Sequence, residues 1–215
     1  MQLSQAEFDA RYEAEKLHLA FIGMSNIGKS YTAIRLSKTH KFQLVEVDSL
    51  IRETLDKGTM ADFAKWQGQP YTEGYEAREA VSISLETNAT RKAILHAGSN
   101  TLLDTTGSVI YVDAEVKAQL KRDFLVVHIA AEDGDLQRLK KDYFDLPKPL
   151  IWRGHYETLE GKTQEESILE CYPKLLNSRK KAYENMADVQ LKSSFVLNPK
   201  TTMDGVFSTI RNQLS

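Results

Sequence analysis

The segment that most constrains the fold of this chain is a short loop at positions 23–30, which reads Gly-Met-Ser-Asn-Ile-Gly-Lys-Ser. It matches the pattern G-x-x-x-x-G-K-[ST] at every fixed position, and these are Gly23, Gly28, Lys29 and Ser30. An apolar run at 17–22 precedes the loop, and an amphipathic stretch at 29–39 follows it. This order of strand, glycine-containing turn and helix predicts the start of a parallel α/β sheet.

A loop of this kind binds phosphate groups. Its glycines allow backbone N–H groups to turn towards an anion, and the N-terminus of the following helix attracts negative charge. Lys29 can reach the β- and γ-phosphate oxygens, and Ser30 can offer its hydroxyl to Mg²⁺. We therefore predict ATP and Mg²⁺ as cofactors. The predicted nucleotide contacts in this region are Gly23, Ser25, Asn26, Ile27, Gly28, Lys29, Ser30 and Tyr31.

Apolar runs of strand length alternate with stretches of helical periodicity along the rest of the chain. This pattern predicts a three-layer α/β P-loop NTPase fold with a parallel sheet of about five strands. The predicted strands are residues 17–22, 42–47, 101–103, 124–129 and 194–197. The predicted helices are residues 29–39, 75–95, 114–121, 134–143, 163–187 and 206–214.

Three segments depart from the alternation. Residues 1–16 are predicted to form an N-terminal helical arm, which either packs on the kinase domain at 17–215 or offers a contact surface. A helical substrate-binding insertion is predicted at about 57–95. Residues 145–165 are basic and contain Gly and Pro, which is typical of a lid that closes over phosphates. An ordinary surface loop is the alternative interpretation of that last segment.

Composition limits the classes of partner. The net charge is −2 and the pI is about 6.2, so we expect neither a nucleic-acid nor a membrane partner. The polar, charged start of the chain does not resemble a secretory signal, and the single cysteine, Cys171, fits a reducing compartment. We expect a cytoplasmic protein, a monomer or weak dimer, that acts on a small molecule.

Acidic residues follow two of the predicted strands. Asp104 ends the run at 101–103, where a metal-binding acid of a P-loop protein lies, and Glu46 and Asp48 follow the second strand. In an extended segment Glu46 and Asp48 would point to the same side, so both could address one site. We predict Ser30, Glu46 and Asp104 as metal ligands. The alternatives are that Asp48 caps a helix starting near residue 49, and that Asp104 only stabilises a turn.

Further motifs resemble those of the shikimate kinase family, and the likeness runs from about residue 17 to the end of the chain. The D-x-D element of that family is represented by Glu46-Val-Asp48. Its substrate-domain motif resembles Gly74-Tyr-Glu-Ala-Arg78-Glu79. Its glycine-rich turn is similar to Asp104-Thr-Thr-Gly107-Ser108.

The second half of the chain carries the remaining similarities. Lys148-Pro149-Leu150-Ile151 resembles the Arg-Pro-Leu-Leu of the family's lid. A late helix of the family is matched at Leu175, Arg179, Tyr183 and Ala187. Residues 195–199 lie where the family closes around adenine, which adds Pro199 to the nucleotide contacts.

The resemblance implies an ATP-dependent phosphotransferase with an alcohol group as acceptor, shikimate being the model. Asp48 would act as the base or orient the acceptor hydroxyl. Arg78 and Arg179 would hold a substrate carboxylate, and Gly107 would line the pocket. Arg153 or Lys148 would be the lid cation that acts with Lys29 in catalysis.

The sequence also departs from the family pattern. Glu46 replaces the first aspartate, Thr105 and Thr106 replace glycines, and Lys148 replaces the lid arginine. Arg179 lies in a charged run that could be solvated, and Arg78 could be a helix surface residue. A kinase for another small molecule or a nucleoside, and a nucleotide-dependent switch or ATPase, therefore remain alternatives.

Overall fold

The computed structural model describes residues 3–55, 58–145 and 149–215. Its centre is a five-stranded parallel sheet in the order β2-β3-β1-β4-β5. The strands are β1 (His18–Ile22), β2 (Gln43–Glu46), β3 (Thr101–Asp104), β4 (Leu125–Ala130) and β5 (Val189–Lys192). The predicted α/β class and its parallel sheet are confirmed.

Helices surround this sheet. They are α1 (Gln5–Glu13), α2 (Lys29–His40), α3 (Val47–Thr54), α4 (Met60–Gln67), α5 (Tyr75–Leu95), α6 (Ala114–Asp123), α7 (Asp135–Asp145), α8 (Gln164–Met186), α9 (Ser193–Val196) and α10 (Met203–Asn212). Helices α1, α2 and α10 pack together, whereas α6 and α8 both pack on β4. None of these helices is long and apolar enough to span a membrane.

The central strands are apolar because helices cover both of their faces. Every residue of β3 and β4 is buried, and β1 is buried from Leu19 onwards. Parallel strands end at a common edge, and the loops that follow β1, β2 and β3 therefore meet there.

The prediction of the fifth strand was wrong. Residues 194–197 do not extend the sheet, because Ser193–Val196 forms a helical turn in which the Leu197 N–H donates to the Ser193 carbonyl at 2.9 Å. The strand is Val189–Lys192, whose residues are alternately buried and exposed, as an edge strand requires. The prediction failed because β5 has only two apolar residues, Val189 and Leu191, at alternate positions. The continuous apolar run Phe195-Val-Leu gave a stronger strand signal.

The extended conformation predicted around Glu46 and Asp48 was also wrong. Strand β2 ends at Glu46, and α3 begins at Val47, so Asp48 lies in the first turn of a helix. Helix α3 has no side-chain cap, so Asp48 is not its N-cap. An acidic residue in the first turn is favourable because the helix N-terminus carries partial positive charge.

The N-terminal helix is part of the packed structure. Phe8 is fully buried, and its ring centroid lies 5.0 Å from that of Phe207 on α10. Arg211 of α10 also binds the carboxylate of Asp9 with two hydrogen bonds, at 2.6 and 2.5 Å. Helix α1 thus covers apolar surface of the domain.

We predict that Phe8→Ala lowers the free energy of unfolding by about 3–5 kcal/mol, because truncating a fully buried aromatic ring leaves a cavity. Urea unfolding followed by circular dichroism measures this loss. Asp9→Ala is the control and should have a much smaller effect, since it breaks an ion pair at the surface. Equal losses in the two variants would contradict this account of the packing.

Candidate active site

The loop between β1 and α2 has the backbone of an anion-binding loop. Gly23 and Gly28 have φ values of 142° and 106°, and Asn26 has a φ of 61°. A Cβ atom on Gly23 would lie 2.5 Å from the Ile129 carbonyl oxygen, and one on Gly28 would lie 2.8 Å from Leu197 Cδ2. Gly23 is therefore required by dihedral angle and by space, and Gly28 by its dihedral angle, since the Leu197 side chain can move.

Lys29 lies at the first residue of α2 and is buried. Its ammonium group donates to the carbonyl oxygens of Gly23 at 3.0 Å and Met24 at 2.9 Å, which holds it across the loop. Ile27 and Met24 are buried in the core, so Ile27 can offer a ligand its backbone but not its side chain. Ser25, Asn26, Ser30 and Tyr31 line the cavity beside the loop.

Asp104 lies at the end of β3, in register with Phe21 of β1 and Glu46 of β2. Its Oδ1 atom is buried and has no hydrogen-bond partner. Burial raises the pKa of this carboxyl group, and Lys29 and the Ser30 hydroxyl act against that shift. An unpartnered acidic oxygen beside Ser30 fits Mg²⁺, whose other ligands are commonly water and phosphate oxygens.

The protein supplies only part of such a coordination shell. Within residues 3–55, 58–145 and 149–215, no group of three or more His, Cys, Asp or Glu side chains is arranged to hold a metal ion. Glu46 lies beside Asp104 and contributes a negative charge that raises its pKa. The predicted metal ligands are thus near one another, but they need phosphate oxygens or water to complete a site.

A cavity of about 510 Å³ opens beside the loop. The loop and α2 contribute to its lining. Helices α3, α4 and α5 contribute Asp48 and Ile51, Met60 and Phe63, and Ser82 and Glu86, respectively. The turn after β3 forms its floor with Thr105, Thr106, Gly107 and Ser108. Asp142, Pro149, Ile151 and Leu197 complete the lining.

Gly107 lies in this floor, as predicted for a pocket residue, and the structure gives the reason for glycine. A Cβ atom there would lie 2.5 Å from Ser25 Oγ and 2.9 Å from the Ser25 backbone nitrogen. The turn after β3 and the anion-binding loop are therefore in direct contact.

Glu86 is the residue that sequence reasoning missed. It is buried, and its two carboxylate oxygens accept hydrogen bonds from the hydroxyls of Thr106 and Ser108. Burial raises its pKa to about 7, against the effect of these hydrogen bonds, and the charge of Asp48 contributes to the rise. A signal was present in the sequence, because Glu79, Ser82 and Glu86 form a polar stripe at helical spacing on α5.

Arg78 does not line the cavity. Its guanidinium donates to the carbonyl oxygens of Gln67 and Glu73 and to the Thr72 hydroxyl, each at 2.9 Å. These bonds hold the connection between α4 and α5. The binding of a substrate carboxylate by Arg78 stays a prediction, and these three contacts of its guanidinium are all with the protein itself.

Arg179 is buried under the floor of the cavity. It donates to the carbonyl oxygens of Gly107 at 3.0 Å and Ile151 at 2.8 Å, and it lies 5.3 Å from the centre of the Tyr111 ring. Its Nε has no hydrogen-bond partner. Arg179 is not among the residues that line the cavity, although Gly107 and Ile151, to which it donates, are. Its contact with a substrate stays a prediction.

Two other predicted residues also lie away from the cavity. Arg153 has a φ of 50° and lies with Glu76 and Ile83 in a separate surface depression. Pro199 is exposed outside the cavity, where Leu197 forms the contact instead. Lys148 falls outside the described residues. Sequence position alone did not show which way the residues after α7 face.

The segment from Pro149 to Arg153 is fastened over the cavity by buried polar side chains. One oxygen of Glu79 accepts the N–H of Trp152 at 2.6 Å and that of Arg153 at 3.1 Å. Gln67 donates to the Leu150 carbonyl at 2.6 Å. The lid predicted at 145–165 stays a prediction, but its described part is joined to α4, α5 and α8.

A second cation beside the anion-binding loop was also missed. Arg138 on α7 donates to the Asn26 carbonyl at 2.7 Å and forms an ion pair with Asp135 at 2.8 Å. Its place could not be read from the sequence, because a basic residue in an amphipathic helix is usually solvated. Arg138 supports the strained residue Asn26 from outside the loop.

Comparison with solved structures identifies the fold. The shikimate kinase of Acinetobacter baumannii, solved in complex with shikimate, has a TM-score of 0.63 and 18% identity over 94% of this chain and 96% of its own. That of Bacteroides thetaiotaomicron has a TM-score of 0.60 and 14% identity, covering 91% and 95%. That of Aquifex aeolicus has a TM-score of 0.59 and 16% identity, covering 91% and 97%.

Sequence comparison adds no family. No family model matches the chain, and no curated protein matches it. The likeness to these structures extends over nearly the whole of both chains, which confirms the fold expected from the motifs. This chain therefore has the fold of the shikimate kinases, and its activity has to be argued from its own site.

Proposed function

We propose that this protein is an ATP-dependent kinase that transfers the γ-phosphoryl group to a hydroxyl of a small metabolite. The observation that carries the proposal is that Lys29 of the anion-binding loop and the carboxylate of Asp48 line one cavity of about 510 Å³. A phosphoryl donor and an acceptor hydroxyl need such an arrangement, with charge stabilisation on one side and a proton acceptor on the other.

Four side chains, those of Lys29, Ser30, Asp48 and Asp104, have defined roles in this proposal. Backbone N–H groups of residues 23–30 and the Lys29 ammonium bind the phosphates. Ser30 and Asp104 would hold Mg²⁺, which neutralises charge on the phosphate oxygens when bound. Asp48 accepts the proton of the acceptor hydroxyl. As this proton leaves, the hydroxyl oxygen forms a bond to the γ-phosphorus. The bond from the γ-phosphorus to the β–γ bridging oxygen breaks at the same time.

The fold makes shikimate the first acceptor to test, because the Acinetobacter enzyme of this fold was solved with shikimate bound. Only the similarity of fold supports shikimate as the acceptor. Arg78 and Arg179, which were expected to bind its carboxylate, donate to groups of the protein itself. The proposal is therefore a small-molecule kinase whose acceptor is open to experiment.

The proposal is tested by coupling ADP release to a spectroscopic signal, with ATP·Mg²⁺ and a panel of shikimate, other hydroxy acids, sugars and nucleosides. We expect at least one acceptor to accelerate ADP release, and Asp48→Asn to lower kcat by about 10²–10⁴-fold through loss of the general base. Glu53→Gln, an exposed change on the same helix, is the control. Slow ATP hydrolysis that no acceptor accelerates would contradict the kinase proposal and favour a nucleotide-dependent switch.

Lys29→Met should lower kcat by roughly 10²–10³-fold, because a charge that stabilises the transferred phosphoryl group is lost. Lys38→Met is the matched control, since Lys38 is exposed on the same helix. Both variants should be compared by steady-state kinetics after circular dichroism has shown that they are folded. A folded Lys29→Met protein with unchanged kcat would rule out phosphoryl transfer at this loop.

Asp104→Asn should raise the Mg²⁺ concentration needed for half-maximal activity by about 10–100-fold, by analogy with other changes around bound metals. Titration of activity with Mg²⁺ at fixed ATP measures this value. Glu46→Gln should have a smaller effect, because Glu46 is partly exposed and lies one strand further from the loop. If both variants keep the Mg²⁺ dependence of the unmodified protein, neither residue takes part in metal binding.

A further inference from the structure

The part of the cavity that is lined by α3, α4, α5 and the turn after β3, which we term the acceptor half, is acidic. Its lining consists of Asp48, Ile51, Met60, Phe63, Ser82, Glu86, Thr106 and Ser108. Two of these side chains carry carboxylates, and Asp48 is close enough to Glu86 to raise its pKa. Among the described lining residues of the whole cavity, Lys29 is the cation, and it belongs to the anion-binding loop.

No arginine of the described chain compensates these acids from within the acceptor half. The charge of Arg179 lowers the pKa of Glu86. However, two of its nitrogens donate to the carbonyl oxygens of Gly107 and Ile151, below the cavity floor. No ion pair of the described residues includes Asp48 or Glu86. A carboxylated ligand placed here would meet like charge.

Glu86 keeps acceptor capacity for a ligand. Each of its oxygens takes one hydrogen bond from the protein, from Thr106 or from Ser108. A carboxylate oxygen has two lone pairs, so one on each oxygen is left for a further donor. Ser82, one turn earlier on α5, donates to the Gln67 side chain at 2.6 Å, which fixes its hydroxyl at the edge of the same surface.

Apolar side chains also line the acceptor half. They are Ile51, Met60 and Phe63, and Phe63 stacks on Trp66 with ring centroids 5.5 Å apart. A ligand that suits this lining combines N–H or O–H donors with a surface of C–H groups. A ring that carries several hydroxyl or amino groups has this form, whereas an anionic group in place of a donor does not suit it.

From these contacts, and resting on the proposed kinase function, we infer that the acceptor is a cyclic hydroxylated compound without a carboxylate, which binds Glu86 through a hydroxyl or an amino group. Glu86 is then the residue that determines specificity. Above pH 7, where its carboxyl group is mostly ionised, it discriminates by charge, because an N–H or O–H donor completes its hydrogen bonds and an anion is repelled.

The test uses ring compounds matched in all but one substituent. Cyclohexane polyols, hexopyranoses and ribosides would each be supplied with a carboxylate, a hydroxymethyl or an aminomethyl group at the same carbon. We expect kcat/KM for the best hydroxymethyl or aminomethyl compound to exceed that of its carboxylate by roughly tenfold to a hundredfold, the usual contribution of a hydrogen bond to a charged group. Comparison of the hydroxymethyl compounds with the aminomethyl compounds shows whether the acceptor is a polyol or an amino compound.

A variant then ties the preference to Glu86. Glu86→Gln should reduce the discrimination against the carboxylate by at least about tenfold, since the repelling charge is gone. Glu76→Gln, exposed on the same helix, should leave the discrimination unchanged. If Glu86→Gln does not fold, kcat/KM of the substituted compounds with the unmodified protein still tests the inference.

Calorimetric binding of the same series separates this inference from the kinase proposal. Tighter binding or faster turnover of the carboxylates, shikimate included, would overturn the inference and leave the kinase proposal in place. Binding of the non-anionic compounds without any phosphoryl transfer would support the inference and overturn the kinase proposal. Failure of every non-anionic compound to bind at millimolar concentration would overturn the inference.

Discussion

The pairing of β3 between β1 and β2 is the constraint on which the site depends. It places Asp104 beside Phe21 and Glu46, at the edge where the anion-binding loop starts. The turn after β3 is then fastened to β1, because the Thr105 N–H and hydroxyl both donate to the Phe21 carbonyl, at 3.2 and 2.7 Å. Because this turn is fixed, Gly107 lies against Ser25, and the turn after β3 is in direct contact with the anion-binding loop.

Buried polar side chains determine how the cavity is covered. Glu79, Gln67 and Arg179 bind backbone groups of residues 150–153, which gives Glu79 Oε1, Gln67 Nε2 and Arg179 Nη2 partners inside the protein. Burying these polar groups without partners would cost free energy, so residues 150–153 and the helices that carry the three side chains stabilise each other. The same bonds explain why residues that resemble substrate-binding groups contribute to structure here.

Charge is divided unevenly along the cavity. Lys29 lies at the anion-binding loop, and the acids Asp48 and Glu86 line the cavity from α3 and α5. Thr106, which replaces a glycine of the related pattern, and Ser108 provide the hydroxyls that hold Glu86. The composition of the turn after β3 and the burial of an acid on α5 are therefore linked by hydrogen bonds.

The sequence by itself determined the fold class, the anion-binding loop and the position of Asp104, because these follow from local periodicity and from glycines whose dihedral angles few other residues adopt. It also indicated Asp48, although through an extended geometry that a helix replaces. It missed Glu86, Arg138 and the true fifth strand. Only the tertiary structure decided which side of a helix or loop faces the cavity, and so where Arg78, Arg153 and Arg179 point. The physical reason is that a long cationic side chain finds its partner among distant backbone carbonyls, which the spacing of residues along the chain does not encode.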